Sequence, residues 1–170
     1  MTAGLLNFGA HRAPPTELAM RRTGRPTNQP QIEVRNLQRK IQVNLVALQE
    51  FARRALRLCL RIPGHAAMPL NQLPDISVIL ISDRRMAGLH RQYLHQSGPT
   101  DVITFQHGEI FVSAETASRH ARQFGNSLLR ELQLYIVHGL LHLHGFDDQS
   151  KTDARRMKKI QEELLEQAEL

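Results

Sequence analysis

Apolar positions recur along this chain with two different periods, and the changes of period mark its elements. Between Gln31 and Asn36, Ile32 and Val34 alternate with polar neighbours, which predicts a short strand. Asn44 stands where a side chain can cap a helix running to about Leu60. Leu45, Leu48, Phe51, Ala52, Ala55 and Cys59 form that helix's apolar stripe, and Arg53, Arg54, Arg57 and Arg61 its basic face. Residues 64–74 read as loop. From Asp75 to Ser82 the chain is nearly continuous in β-branched apolar residues, as a buried central strand requires. Asp83 opens a short helix to about Tyr93, with Met86, Leu89 and Tyr93 inward. Pro99 to Phe105 is a turn feeding a strand, His107-Gly108 a second turn, and Glu109 to Ser113 the returning arm of a hairpin.

Three helices complete the pattern. One runs from Ala114 to Phe124 and is stopped by Gly125. Asn126 or Ser127 caps the next, which ends at Gly145 and is apolar on most sides: Leu128, Leu129, Leu132, Tyr135, Ile136, Val137, Leu140, Leu141 and Leu143. Gly139 within it costs about 1 kcal/mol relative to Ala, so either another backbone packs closely there or the neighbouring side chains need the room. The last helix follows Ser150, with Ser150-x-x-Asp153 as a capping box and Met157, Ile160, Leu164 and Ala168 as its core stripe.

Residues 1–30 differ from all of this. They hold Pro14, Pro15, Pro26 and Pro30, are rich in arginine and show no sustained period, so they read as a disordered basic tail. The expected organisation is that tail followed by one domain over residues 31–170. No stretch approaches the roughly 20 apolar residues of a membrane span, and the start lacks the basic-then-apolar layout of a signal peptide. Cys59 is the only cysteine, which excludes an intrachain disulfide and points to a reducing compartment, the cytoplasm.

Charge narrows the partners. Lys and Arg number 22 against 16 Asp and Glu, a net charge of +6, which favours an anionic partner such as nucleic acid. With no Trp and few aromatics, phosphate contacts rather than base stacking would carry the affinity. In the last helix Lys151, Arg155, Arg156, Lys158 and Lys159 precede Glu162, Glu163, Glu166 and Glu169, against the helix dipole. That helix reads either as an exposed amphipathic helix with i, i+4 salt bridges or as one whose basic end faces an anionic substrate.

The chemistry concentrates at the end of the apolar helix, in His138-Gly-Leu-Leu-His142-Leu-His144-Gly145-Phe-Asp147-Asp148. His138 and His142 are four residues apart, so both imidazoles lie on one helix face, a spacing suited to one metal ion. Gly145 can adopt φ > 0 and end the helix, and Asp147 or Asp148 can then return a carboxylate toward the rings. Two histidines and a carboxylate leave a fourth position for water, the catalytic kind of zinc site. Gly139 stands where a zinc peptidase of the His-Glu-x-x-His type carries its general base, which argues against peptide hydrolysis.

These residues resemble the YbeY-type rRNA maturation factors, a family of metal-dependent endoribonucleases. The run from His138 to Asp147 is similar to the family's His-Gly-x-Leu-His-Leu-x-Gly-Tyr-Asp-His. Pro99-Thr-Asp-Val-Ile-Thr-Phe105 resembles its Pro-Thr-Asp-Val-Leu-Ser-Phe, Gly108-Glu109-Ile110 its Gly-Asp-Ile, and Met157 with Glu162 or Glu163 its closing helix. The resemblance runs from about Ile32 to the C-terminus. It implies an α+β fold, one compact domain with a small mixed sheet and about five helices, holding a metal in a cleft. It further implies a single-strand-specific endoribonuclease that matures the 3′ end of small-subunit rRNA, serves ribosome quality control, and has rRNA and ribosomal subunits as partners.

Two departures follow. The family's third ligand is a histidine, and that position here is Asp148. His138, His142 and Asp148 are thus the expected ligands of a Zn2+ ion, with harder divalent metals more readily admitted than by three histidines. Asp147 is expected to orient one of the histidines, and His144 to be at most an outer partner. Where the family reads Asn-x-x-Tyr-Arg, this chain has His90-x-x-Tyr93-Leu94, which removes an arginine suited to a phosphate. Two other classes stay open: a non-catalytic rRNA-binding assembly factor, and a zinc hydrolase of another substrate.

Overall fold

A computed structural model describes residues 29–64 and 70–169; the N-terminal tail expected over residues 1–30 lies, but for its last two residues, outside the described part. In chain order the elements are β1 (Gln31–Asn36), α1 (Leu45–Cys59), a single 3₁₀ turn (Leu70–Gln72), β2 (Asp75–Ile81), α2 (Asp83–Leu94), β3 (Val102–Phe105), β4 (Glu109–Ser113), α3 (Ala114–Phe124), α4 (Leu128–Leu143) and α5 (Lys151–Glu169). The sheet order is β1-β2-β4-β3. β1, β2 and β4 run parallel, and β3 returns antiparallel against β4 as the expected hairpin. The fold is α+β, a mixed sheet of four strands with five helices.

The continuous apolar run of β2 is explained by cover on both of its faces. Ile76, Val78 and Leu80 join Val102, Ile110 and Val112 under α1, α4 and α5, whereas Ile79 and Ile81 join Ile103 and Phe105 under α2. At the outer edge of β1 the Val34 N–H donates to Gln49 Oε1 (2.8 Å) and Gln49 Nε2 donates to the Ile32 carbonyl (2.9 Å). One side chain of α1 thereby occupies groups that would otherwise be a template for pairing with another strand.

Each helix start is held by the residue type that its unsatisfied N–H groups require. Asn44, Ser82, Ser113 and Ser127 accept from the backbone of Ala47, Arg85, Thr116 and Arg130. The starts of α2 and α3 are also tied together. Asp83 accepts from Ser113, Thr116 and Arg119, while Glu115 accepts from the Asp83 N–H (2.7 Å). Burial works against the Asp83 charge, but those hydrogen bonds outweigh it and hold the carboxyl below its usual range.

Two core assignments change. Leu45 is expected in the buried stripe of α1, yet it is 36% exposed, because the buried face of α1 begins one turn later, at Leu48. In α5 the buried side is wider than expected, and Leu165 joins Met157, Leu164 and Ala168. Cys59 is fully buried, and burial pushes its thiol up to about 12, so it behaves as a small hydrophobe rather than a nucleophile. No helix among the described residues is long and apolar enough to cross a membrane.

Candidate metal centre

Helix α4 is the rigid support of the site. Leu132, Ile136, Leu140 and Leu141 are at most 1% exposed, so packing fixes the rotation of the helix and with it the direction of the two histidines. Gly139, between them, lies against β4. A Cβ there would come 2.6 Å from Ile110 Cγ2 and 3.0 Å from its Cδ1. The close neighbour is thus a strand side chain, not a second backbone. A β-branched methyl cannot swing away alone, so Gly139→Ala is expected to destabilise by about 1–3 kcal/mol despite its better helix propensity. Thermal unfolding checks this, and Ile110→Ala in the same chain should recover part of the loss.

The end of α4 turns the chain back. Gly145 has φ 89°, its N–H donates to the His142 carbonyl (3.0 Å), and the Phe146 N–H donates to the Leu141 carbonyl (3.0 Å). A left-handed residue at this point is what lets the last carbonyls of a helix be satisfied while the chain reverses. Asp147 then shapes the turn: its Oδ1 accepts from the N–H groups of Asp148 (2.7 Å) and Gln149 (3.1 Å). Asp147 does not hold a histidine, contrary to expectation; its oxygen is used by the backbone. The turn delivers Asp148, whose Oδ2 lies 3.9 Å from His138 Nε2.

His138, His142 and Asp148 form one group, with a ligand atom from each within 4.8 Å of the others. The Nε2 atoms of the two histidines face one another at 3.2 Å. Their remaining nitrogens are held from behind. His138 Nδ1–H donates to Gln161 Oε1 of α5 (2.7 Å), and the His142 ring hydrogen-bonds to the Phe146 backbone. With Nδ1 of His138 protonated, its Nε2 carries a lone pair pointing into the group. Burial holds His138 well below the usual imidazole range, against the opposing pull of Gln161, Asp148 and Asp101. His142 is pushed down to about 3, first by burial and then by the His138 ring. Asp148 is raised, chiefly by burial, although the nearby His138 counteracts this.

Two neutral imidazoles aiming nitrogens at each other across 3.2 Å need a proton or a cation between them. Tetrahedral zinc with Zn–N bonds near 2.05 Å separates two ligand nitrogens by about 3.3 Å. The donor set therefore fits a zinc-sized divalent ion, with Asp148 as the charged member. Metal-binding histidines normally donate their second N–H to a protein oxygen, and Gln161 and Phe146 supply those oxygens.

Other expected participants fall elsewhere. His144 turns away from the group: its Nε2–H donates to the Ile62 carbonyl (2.8 Å), and its ring lies against Gly64. It latches the end of α1 to the end of α4. His90 Nδ1 bonds to the Gly98 carbonyl (2.8 Å), and Leu94, where an arginine was missed, is buried in the layer under α2. Gln161 is the participant that the sequence did not disclose. Its signal is a polar residue in line with Met157, Leu164 and Ala168, one turn along an otherwise buried stripe.

The chain matches known proteins along most of the described residues. A family model described as Endoribonuclease YbeY matches residues 33–169. A protein of Pelotomaculum thermopropionicum named Endoribonuclease YbeY is 33% identical over 147 residues, covering 78% of this chain and 93% of that one. A Frankia alni protein of the same name is 36% identical over 119 residues, covering 58% of this chain and 66% of the other. Matches to Frankia casuarinae and Anaeromyxobacter relatives likewise span 59% and 62% of those proteins. Among solved structures, the solution structure of a Thermotoga maritima protein superposes with a TM-score of 0.56 at 26% identity, over 81% of this chain and 88% of that one.

Proposed function

The chain belongs to the YbeY endoribonuclease family, and from that premise we propose that it is a metal-dependent endoribonuclease that cuts single-stranded RNA. The observation that carries the proposal is the facing pair of neutral histidine nitrogens with Asp148 beside them. An ion held by His138, His142 and Asp148 supplies a Lewis acid next to a phosphodiester.

The chain's own residues define how that chemistry is set up. Burial keeps both imidazoles neutral, so their lone pairs are available without a proton leaving first. Gln161 and the Phe146 backbone fix the ring orientations. Asp148 adds a negative charge to the ligand set. With Asp148 as the third ligand an ion would carry one unit less net charge than with three neutral ligands, and oxygen-preferring metals such as Mn2+ would be better accepted. Zn2+ is the expected metal, because two nitrogens and one carboxylate form an established catalytic set for it.

The substrate is RNA, and the finer assignment is to rRNA: maturation of the 3′ end of the small-subunit rRNA and ribosome quality control in the cytoplasm, with ribosomal subunits as partners. The net charge of +6 supports an anionic partner. The test is digestion by the purified full chain of one RNA sequence presented as a single strand, as a duplex, and as a precursor of the small-subunit 3′ end. Cutting of the single strand and the precursor, with the duplex spared, is expected. Binding without cutting would instead support an assembly factor, and metal-dependent hydrolysis of peptides in its place a hydrolase of another class.

A further inference from the structure

Hydrolysis beside a metal group needs a proton acceptor within hydrogen-bond reach of the attacking oxygen. Most polar side chains around His138, His142 and Asp148 are already committed. Gln161 holds the rear of His138, Asp147 Oδ1 holds the turn, and His144 is bonded to the Ile62 carbonyl. Glu131, buried earlier on α4, is bonded to Asn126 (2.7 Å) and to the Tyr135 hydroxyl.

Asp101 differs from these. It stands just before β3 and is 7% exposed. Its backbone is fixed: the Ser113 N–H donates to its carbonyl (2.8 Å), and the next residue, Val102, pairs with Val112 in the layer beneath α4. Both hydrogen bonds to its side chain fall on one oxygen, since Oδ1 accepts from the Thr100 hydroxyl (2.9 Å) and from the Val102 N–H (2.9 Å). Oδ2 has no hydrogen-bond partner among the described residues. The negative charge acts on Tyr135 and His138, one turn apart on one face of α4, and on Asp148, raising all three. Asp101 therefore faces the metal group, yet it is not in the set whose ligand atoms lie within 4.8 Å of one another. A carboxylate oxygen withdrawn from water and given no donor is costly, and such groups are kept where a reaction uses them.

We propose that Asp101 is a catalytic residue whose Oδ2 takes the proton of the water that attacks the phosphodiester at the metal group. The assignment rests on the endoribonuclease reading and brings from β3 the base that is missing at Gly139. In the step, the water oxygen forms a bond to phosphorus while its proton passes to Oδ2. The bond from phosphorus to the leaving ester oxygen breaks, and that oxygen departs with the electron pair and takes a proton from solvent. Asp101 then returns its own proton to solvent. Thr100 is a positioning residue, because its bond to Oδ1 leaves Oδ2 as the free oxygen.

Asp101→Asn in the full chain is the test. The amide keeps an oxygen for Thr100 and Val102 and replaces Oδ2 by a group that cannot take up a proton. With zinc saturating, steady-state cleavage of a single-stranded RNA should lose roughly 10²–10⁴-fold in kcat. KM for the RNA, bound zinc and the thermal unfolding midpoint should stay close to wild type. Equal losses in kcat and kcat/KM mark an interaction made only in the transition state. Thr100→Val, which leaves the carboxylate but removes one donor from Oδ1, should lower kcat by less. Wild-type kcat in Asp101→Asn, or a loss that more zinc restores, would overturn Asp101 as the base and leave the endoribonuclease reading intact. Where Asp101→Asn also lowers the unfolding midpoint, Thr100→Val decides, and an unchanged kcat there overturns the assignment. A wild type that does not cut RNA would overturn the endoribonuclease reading and the base with it.

Discussion

Zinc binding and RNA cleavage are expected to vanish together when His142 is replaced by Ala, while the fold persists. His142 is 8% exposed, and its lone pair faces that of His138 at 3.2 Å. Removing it leaves one nitrogen and one carboxylate, too few for a tetrahedral zinc site with a single open position. Alanine is the best helix former, and the lost ring was a desolvated polar group whose removal relieves as much as it costs. Thermal unfolding monitored by circular dichroism should therefore change little, whereas bound zinc falls to background. The loss should exceed the roughly 10–100-fold that removal of an outer partner produces. The pH dependence of zinc binding to the wild type follows from the same burial. An exposed histidine pair loses its metal as pH falls through about 6.5. Here burial lowers both imidazoles, so affinity should persist to a lower pH than at an exposed histidine pair.

The second large effect is expected at a residue that touches no metal. Gln161→Leu keeps the volume of the side chain but removes the oxygen that accepts from His138 Nδ1–H at 2.7 Å. His138 is then free to rotate and to move its proton to Nε2, the nitrogen that must stay bare. Zinc affinity should fall by about 10–100-fold, and cleavage should return when zinc is raised in proportion. Such recovery separates Gln161 from His142, whose loss no zinc concentration repairs. Gln161→Glu, which keeps an acceptor, should retain the metal. Zinc affinity unchanged in Gln161→Leu would remove Gln161 from the account.

These two residues also show what a sequence discloses and what it does not. His138 and His142 are legible because both lie on one helix, where spacing alone fixes geometry. Gly145 is legible as a helix stop for a similar reason, and the β3–β4 hairpin because its turn and alternation are local. Gln161 meets His138 from a different helix, 23 residues away, and no period encodes that pairing. The seat of Gly139 on Ile110 depends in the same way on how α4 crosses β4. Asp147 was misassigned because a carboxylate beside histidines reads equally as a histidine partner or as a turn former, and only backbone geometry decides between them. Gln49 reads as one more polar position on α1, yet it closes the edge of β1. Local periodicity thus yields the elements and the two-histidine grip; the contacts that orient the grip belong to tertiary packing.

The most direct measurement is cleavage of a single-stranded RNA by the purified full chain before chelation, after it, and after zinc is added back. Cutting that is lost with the metal and restored by zinc, and not restored in His142→Ala, is the predicted result. Cutting that survives chelation, or that returns equally in His142→Ala, would contradict the assignment of the metal to His138, His142 and Asp148.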